Sequence, residues 1–407
     1  MVDSISVALI LSALIILVGF SANYLFKKTG FPEMLILIFL GAVFGPILGF
    51  FDPLAVKSFA PYIAALALAY IIFDGGMGLN IKQVLYNSPK AVLLAVLGFV
   101  FSFWGVAIFM VFVFNMSWLY GFLFGAIFGG SSSVIVVSLA SKIKISDNGS
   151  TILILESAIT DIFSIVISIA IIDILITGQA NVTAIGLGIA GKFLAGLLIG
   201  LAFGFIWLFA LRKISSLPFS YMLTLGIVLL GYAATESLGG SGVLCVLLFG
   251  LILGNEKEFL KFFRNNIEKN GNNEKMILSV SRGLKRFEAE VAFLISTFFF
   301  VFLGIIATVS SIEVLLSGIL LSVIMLVTRF GAVWITTKGS TLKKERGMLT
   351  VILTRGLATA VLATLPAQLG LSYADIFVDV AIVVIVTTAI MAAVGSMSIS
   401  RKKDVSA

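Results

Sequence analysis

The stretch "LILESAITDIF" (153–163) sets two carboxylates, Glu156 and Asp161, inside runs of Ile, Leu and Val. In apolar surroundings an acid can pair with a base, or it can hold a proton or a small cation. Few other chemistries are open to this chain. None of its 407 residues is histidine, which removes Ser-His and Cys-His catalysis, His metal sites and the imidazole pH switch together. Its one cysteine, Cys245, allows no intramolecular disulfide. Proton chemistry therefore falls to Asp, Glu, Lys or Tyr.

The elements that position these acids follow from composition. Hydrophobic residues make up 60% of the chain and charged residues 12%, with a mean hydropathy of +1.18. Soluble domains carry about twice that charge. Apolar runs long enough to cross about 30 Å of hydrocarbon recur throughout, which predicts an all-α polytopic membrane protein. Continuous apolar blocks are unlike the short alternating strands of a transmembrane barrel. Turn signals and charges predict thirteen spans: 5–26, 33–50, 59–79, 89–113, 118–141, 149–174, 183–211, 217–236, 240–253, 290–308, 311–336, 346–369 and 373–397. One long polar connection, 254–287, separates the ninth from the tenth. The first span, lacking a basic leader and a cleavage site, reads as a retained helix. No soluble domain is expected along 1–407, which argues against nucleotide gating.

A net charge of +7 would suit nucleic acid, but its distribution points to membrane topology. All but four of the 27 Lys and Arg fall in loops or ends that follow odd-numbered spans. Lys57 alone lies on the other side, and Lys192, Arg329 and Arg355 lie inside spans. The positive-inside rule then predicts an outer N-terminus and a cytoplasmic C-terminus.

Ionisable residues within a bilayer are costly and mark function. At 1.5 Å per residue, Glu156 lies roughly 10 Å from the cytoplasmic face and Asp161 roughly 18 Å. Arg329, counted back along the eleventh span, shares the roughly 10 Å level. Glu156 and Arg329 are therefore expected to form a structural ion pair. Asp161 is left as the working group, because burial disfavours its charged form and lets it hold either a proton or a monovalent metal ion. The competing reading makes both acids helix-packing residues.

Two further stretches interrupt their helices. In "FGAIFGGSSSVIVV" (124–137), Gly129-Gly130 precede Ser131, Ser132 and Ser133. In "MLTVILTRGLATAVLATLPAQ" (348–368), Thr354-Arg355-Gly356 sit at a comparable depth. Paired broken helices point to a transporter site whose carbonyls and hydroxyls suit a dehydrated cation, although small residues also serve tight helix packing. Asp74, near the end of the third span, lines an access funnel or sits at the interface. Lys192 is a partner for an acid or faces a cavity or a dimer mate.

The segment "LESAITDIFSIV" resembles the Glu-Ser-x-x-Asn-Asp stretch of subfamily-one sodium/proton antiporters in the monovalent cation:proton antiporter superfamily. Other segments fit in the same order: "FPEMLILIFLGAVFGP" (31–46), "IIFDGGMGLN" (71–80), "ATESLGGSGVLCVLLFGLILGN" (234–255), "FEAEVAFLISTFFFVFLGI" (287–305), "TRFGAVWITT" (328–337) and "TRGLATAVLATLPAQLGL" (354–371). The resemblance implies an extra first helix and two inverted six-helix repeats, about 33–211 and 217–397, with two crossed discontinuous helices in a homodimer of a prokaryotic plasma membrane. It implies that Asp161 binds cation and proton in turn, that Glu156 pairs with Arg329, and that Ser157 supplies a ligand. Arg at the partner position, where electrogenic relatives have Lys, implies electroneutral exchange. Na⁺, Li⁺ or K⁺ and H⁺ would be substrates; no cofactor and no partner beyond lipid and a second copy is implied.

Two departures bear on selectivity. Thr160 replaces the Asn before the binding Asp, and Ser131-Ser132-Ser133 replaces a common Thr-Asp-Pro. Potassium/proton exchange is therefore the alternative to sodium/proton exchange. A passive cation channel would not consume a pH gradient. An intramembrane protease would need a Ser-His dyad or a Gly-x-Gly-Asp plus Tyr-Asp pair; the chain has no His, and neither acid sits in such a motif.

Overall fold

The computed structural model describes residues 4–29, 33–51, 60–140, 143, 145–178, 182–214, 219–263, 271–305 and 311–405. Lys57, Lys142, Lys144, Arg264 and Lys269, which enter the charge sorting, lie outside them, as do 306–308 of the tenth expected span. The described residues form helices α1 (Ser4–Thr29), α2 (Glu33–Ala42, continued by a π turn Val43–Ile47), α3 (Ala60–Gly78), α4 (Ile81–Phe114), α5 (Trp118–Gly129) and α6 (Ser133–Ala140). These are followed by α7 (Asp147–Thr177), α8 (Val182–Ile214), α9 (Ser220–Ser237), α10 (Gly242–Gly254) and α11 (Glu256–Phe263). The last are α12 (Gly271–Ile305), α13 (Ile312–Thr336), α14 (Arg346–Val351), α15 (Leu357–Gln368) and α16 (Ala374–Val405). Seven are long and apolar enough to cross a membrane, among them α4, α7 and α13, and four shorter apolar helices accompany them. No strand occurs among the described residues.

Local chemistry sets the helix ends. Ser146 caps α7 by accepting the Gly149 N–H at 3.1 Å, and Gly178 ends it at φ +73°, where glycine avoids a Cβ clash. Ser311 caps α13 through the Val314 N–H at 3.2 Å. Such caps contribute about 1 kcal/mol each.

Three boundaries differ from expectation, one of them the end of α16, which runs on to Val405 where the last span was expected to close at 397. α4 begins at Ile81 and runs through Pro89, where the sequence suggested a start at 89. Asn80 supplies the cap, accepting the Lys82 N–H at 3.0 Å, and apolar packing of the long helix outweighs one lost backbone bond. The polar connection 254–287 is largely helical: it holds α11 and the first half of α12.

The helices sort into two groups. α4 to α7 pack with α13 to α16, while α1, α2, α3, α8, α9, α10 and α12 pack with one another. Within the first group lies a core of Phe109, Met110, Leu123, Phe124, Leu321, Met325 and Phe377. Its Phe124 and Phe377 rings stack 3.7 Å apart, so α5 is held directly against α16. A larger core joins both groups, with α3 against α6 and α7 against α8 as their main contacts.

Candidate functional site: a crossing of two broken helices

α5 stops at Gly129 and α6 starts at Ser133; α14 stops at Val351 and α15 starts at Leu357. The two gaps meet. The Ser132 N–H donates to the Thr354 carbonyl at 2.7 Å, and a Cβ added to Gly356 would overlap the Ser132 side chain. Ser132 also caps α6, its Oγ accepting the Ile135 N–H at 3.4 Å. A helix break leaves unsatisfied backbone groups, and here each gap satisfies part of the other.

Two arginines complete that satisfaction. Arg355 Nε donates to the Phe128 carbonyl in the last turn of α5 at 2.6 Å, and its Nη1 donates to the Leu353 carbonyl at 3.3 Å. Arg329, on α13, donates from Nε to the Leu349 carbonyl in the last turn of α14 at 2.8 Å. A cation at a helix C-terminus is favoured by the aligned peptide dipoles. Each broken helix thus ends on a guanidinium.

Arg329 holds a third element. Its Nη1 and Nη2 each meet a Glu156 carboxylate oxygen at 3.1 Å, giving the fork geometry that suits a buried carboxylate. Glu156 is 1% exposed and Arg329 4%. Ser131 bridges the pair: its hydroxyl donates to Glu156 Oε1 at 3.1 Å and accepts from Arg329 Nη1 at 3.3 Å.

Thr160 ties the same gap to α7. Its Oγ1 accepts the Ser131 N–H at 3.0 Å and donates to the Ser157 carbonyl at 3.1 Å. The threonine hydroxyl thereby joins the α5–α6 gap to α7. Gly130 presses against α7, where an added Cβ would lie 2.5 Å from Ser164 Oγ and 2.9 Å from the Thr160 carbonyl oxygen.

Asp161 differs from every acid and base around it. It is buried, at 6% exposure, and its one hydrogen-bond donor among the described residues is the Ser133 hydroxyl at the first turn of α6. No described cation pairs with it. Arg329 is committed to Glu156, and Arg355 to carbonyls. Ser157, also buried, donates its hydroxyl to the Ile154 carbonyl at 2.9 Å. Asp74 is half-buried in α3, next to Gly75, which abuts Val137 of α6. Lys192 is partly buried on α8, and its carbonyl accepts the Ser241 N–H at 3.0 Å.

Sequence reasoning missed three contributors. Thr388 of α16, fully buried, accepts the Arg355 N–H at 3.0 Å. The Phe128 and Leu349 carbonyls hold the arginines. Carbonyls carry no letter, and Thr388 is one of many hydroxyls in apolar runs.

A family model described as the transmembrane region of sodium/hydrogen exchangers matches residues 10–397. A potassium/proton antiporter of Shewanella sp. strain ANA-3, named NhaP2, is 27% identical over 397 residues, 95% of this chain and 65% of the relative. A potassium/proton antiporter of Alkalimonas amylolytica, NhaP, is 26% identical over 266 residues, 63% of this chain and 45% of the relative. The chain thus spans less than two thirds of the length of these curated relatives. The sodium/proton antiporter MjNhaP1 of Methanocaldococcus jannaschii, in its electron-microscopy structure, has the same fold, with a TM-score of 0.76 at 20% identity over 97% of each chain.

Proposed function

The chain belongs to the sodium/hydrogen exchanger transmembrane family, and from that premise we propose that it exchanges one monovalent cation for one proton at Asp161. The observation that carries this reading is the contrast between two buried acids five residues apart. Glu156 is compensated by a bidentate arginine, while Asp161, among the described residues, forms no ion pair and accepts one hydrogen bond, from a hydroxyl. A lone buried carboxylate takes a proton or a cation to offset its charge. It takes one at a time, and that competition couples the two fluxes.

Around Asp161 the ligands for a dehydrated cation would be the hydroxyls of Ser133, Ser132, Ser131, Thr160 and Ser157, each after a rotamer change where its proton is now committed, with carbonyls of the gaps. Arg355 and Gly356 would hold the crossing, and Asp74 would line the approach. In this reading the helices around the site rock against α1–α3, α8–α10 and α12, exposing Asp161 to each face in turn. Thirteen crossings, inverted repeats over about 33–211 and 217–397, an outer N-terminus, a cytoplasmic C-terminus and a homodimer in a prokaryotic plasma membrane complete the proposal. Because Glu156 keeps its charge partnered by an always-protonated Arg329, only Asp161 changes state and exchange is electroneutral. Its cellular role would be pH and cation homeostasis.

Sodium is the cation expected from the sequence. A second reading, potassium, draws support from relatives that carry potassium/proton names and from the pocket's ligands. A site with one carboxylate and several hydroxyls has a weak field, which suits the ion that is less costly to dehydrate. Proteoliposomes holding a pH gradient and a pH dye, given Na⁺, Li⁺ and K⁺ separately, distinguish the two. Dissipation by none of the three ions, or uncoupled cation flux, overturns the reading.

A further inference from the structure

The two helix groups are joined by three short connections, of which the link between α3 and α4 is the tightest: Leu79 and Asn80 alone separate Gly78 from Ile81. α4 belongs to the group that carries the site and α3 to the other. Any rocking of one group on the other must be taken up here or just beyond.

One side chain holds this link. Asn255, at the end of α10 and 5% exposed, donates from Nδ2 to the Leu79 carbonyl at 2.7 Å and to the Leu251 carbonyl at 2.7 Å. Its Oδ1 accepts the Ile81 N–H at 3.0 Å. Both amide protons and the amide oxygen are therefore engaged, spanning the turn on either side of Asn80. The base of the clamp is rigid. Gly76, Gly250 and Gly254 bring the backbones of α3 and α10 into direct contact, with no room for a Cβ on any of them. Asn255 also stiffens its own surroundings, its carbonyl accepting the Glu258 and Phe259 N–H groups that open α11.

We infer that Asn255 pins the α3–α4 turn to α10 and so fixes the pivot about which the site-bearing helices turn. This inference rests on the alternating exposure proposed above. The pinned groups, Leu79 C=O and Ile81 N–H, stay with the α3–α10 unit. The freedom for motion begins beyond Ile81, in the first turns of α4. Asn255 is a positioning residue; it touches neither cation nor proton.

The test is Asn255→Ala in proteoliposomes, with Asp161→Asn as the zero of transport. Losing the clamp is expected to lower turnover about fivefold or more while the apparent KM for the cation stays within about twofold, the scale of one or two hydrogen bonds. Unchanged turnover, or a raised KM at unchanged turnover, overturns the assignment. Hydrogen exchange on the wild-type protein tests it without a variant. Between low pH and saturating cation, the Ile81 amide is expected to stay protected while the amides of Val84 to Ser88 and of Lys90 change. Loss of protection at Ile81 in either condition overturns it, including where Asn255→Ala does not fold. Transport by Asp161→Asn would overturn the proposed function instead, and leaves the clamp to be judged by exchange alone.

Discussion

Removing Arg329 tests whether the Glu156 pair is structural. Arg329→Ala deletes two contacts to Glu156 at 3.1 Å, one to the Leu349 carbonyl at 2.8 Å and one to Ser131 at 3.3 Å. Glu156 is left 1% exposed with only the Ser131 hydroxyl as donor. Breaking a buried pair by removing one partner costs about 3–5 kcal/mol, because the remaining charge is uncompensated. The orphaned end of α14 adds about 1–3 kcal/mol. Glu156→Gln in the same background removes the charge but keeps a side chain of the same shape. The double variant is therefore expected to be more stable than Arg329→Ala alone, with a coupling of about 3 kcal/mol in a double-mutant cycle. Thermal unfolding of the purified proteins in one detergent, followed by tryptophan fluorescence, reads the cycle. Additive effects, or a well-folded Arg329→Ala with unchanged melting, would refute the structural role.

Three other outcomes follow from the same geometry. Ser133→Ala removes the hydroxyl on Asp161 and is expected to weaken apparent cation affinity by about tenfold, roughly one hydrogen bond to a charged group; equal affinity by cation titration would show that Ser133 is not a ligand. Gly356→Ala drives a methyl into Ser132 and should destabilise the crossing by about 1–3 kcal/mol, visible as a lower melting temperature with transport reduced. Glu345→Gln, an exposed contact to Ser146 at the start of α7, should change stability by less than about 1 kcal/mol; a large loss would mean the α7 cap matters more than its exposure implies.

Much of this site could be read from letters, and the reasons are physical. An acid among apolar residues and a Gly-Gly-Ser-Ser-Ser break are expensive in oil, so they stand out against Ile and Leu. Counting residues along two spans was enough to bring Glu156 and Arg329 to one level, because helix rise is constant. What could not be read depends on rotation and on backbone. Depth alone did not say that Arg355 turns to the Phe128 carbonyl rather than to an acid, nor that Ser157 faces the Ile154 carbonyl. The start of α4 was hidden by Pro89, which marks a helix beginning in sequence but is tolerated inside this long packed helix. Asn255 sits in a polar stretch where an amide looks like solvated loop, and only the fold brings Leu79 and Ile81 to it.

The most direct test of the central claim is proton release on cation binding, measured by titrating Na⁺ or K⁺ into purified, weakly buffered protein. At a pH low enough that Asp161 starts protonated, a single acid that holds either ion predicts about one proton released for each cation bound, and neither binding nor release in Asp161→Asn. Cation binding without proton release, or binding that survives in Asp161→Asn, would contradict it.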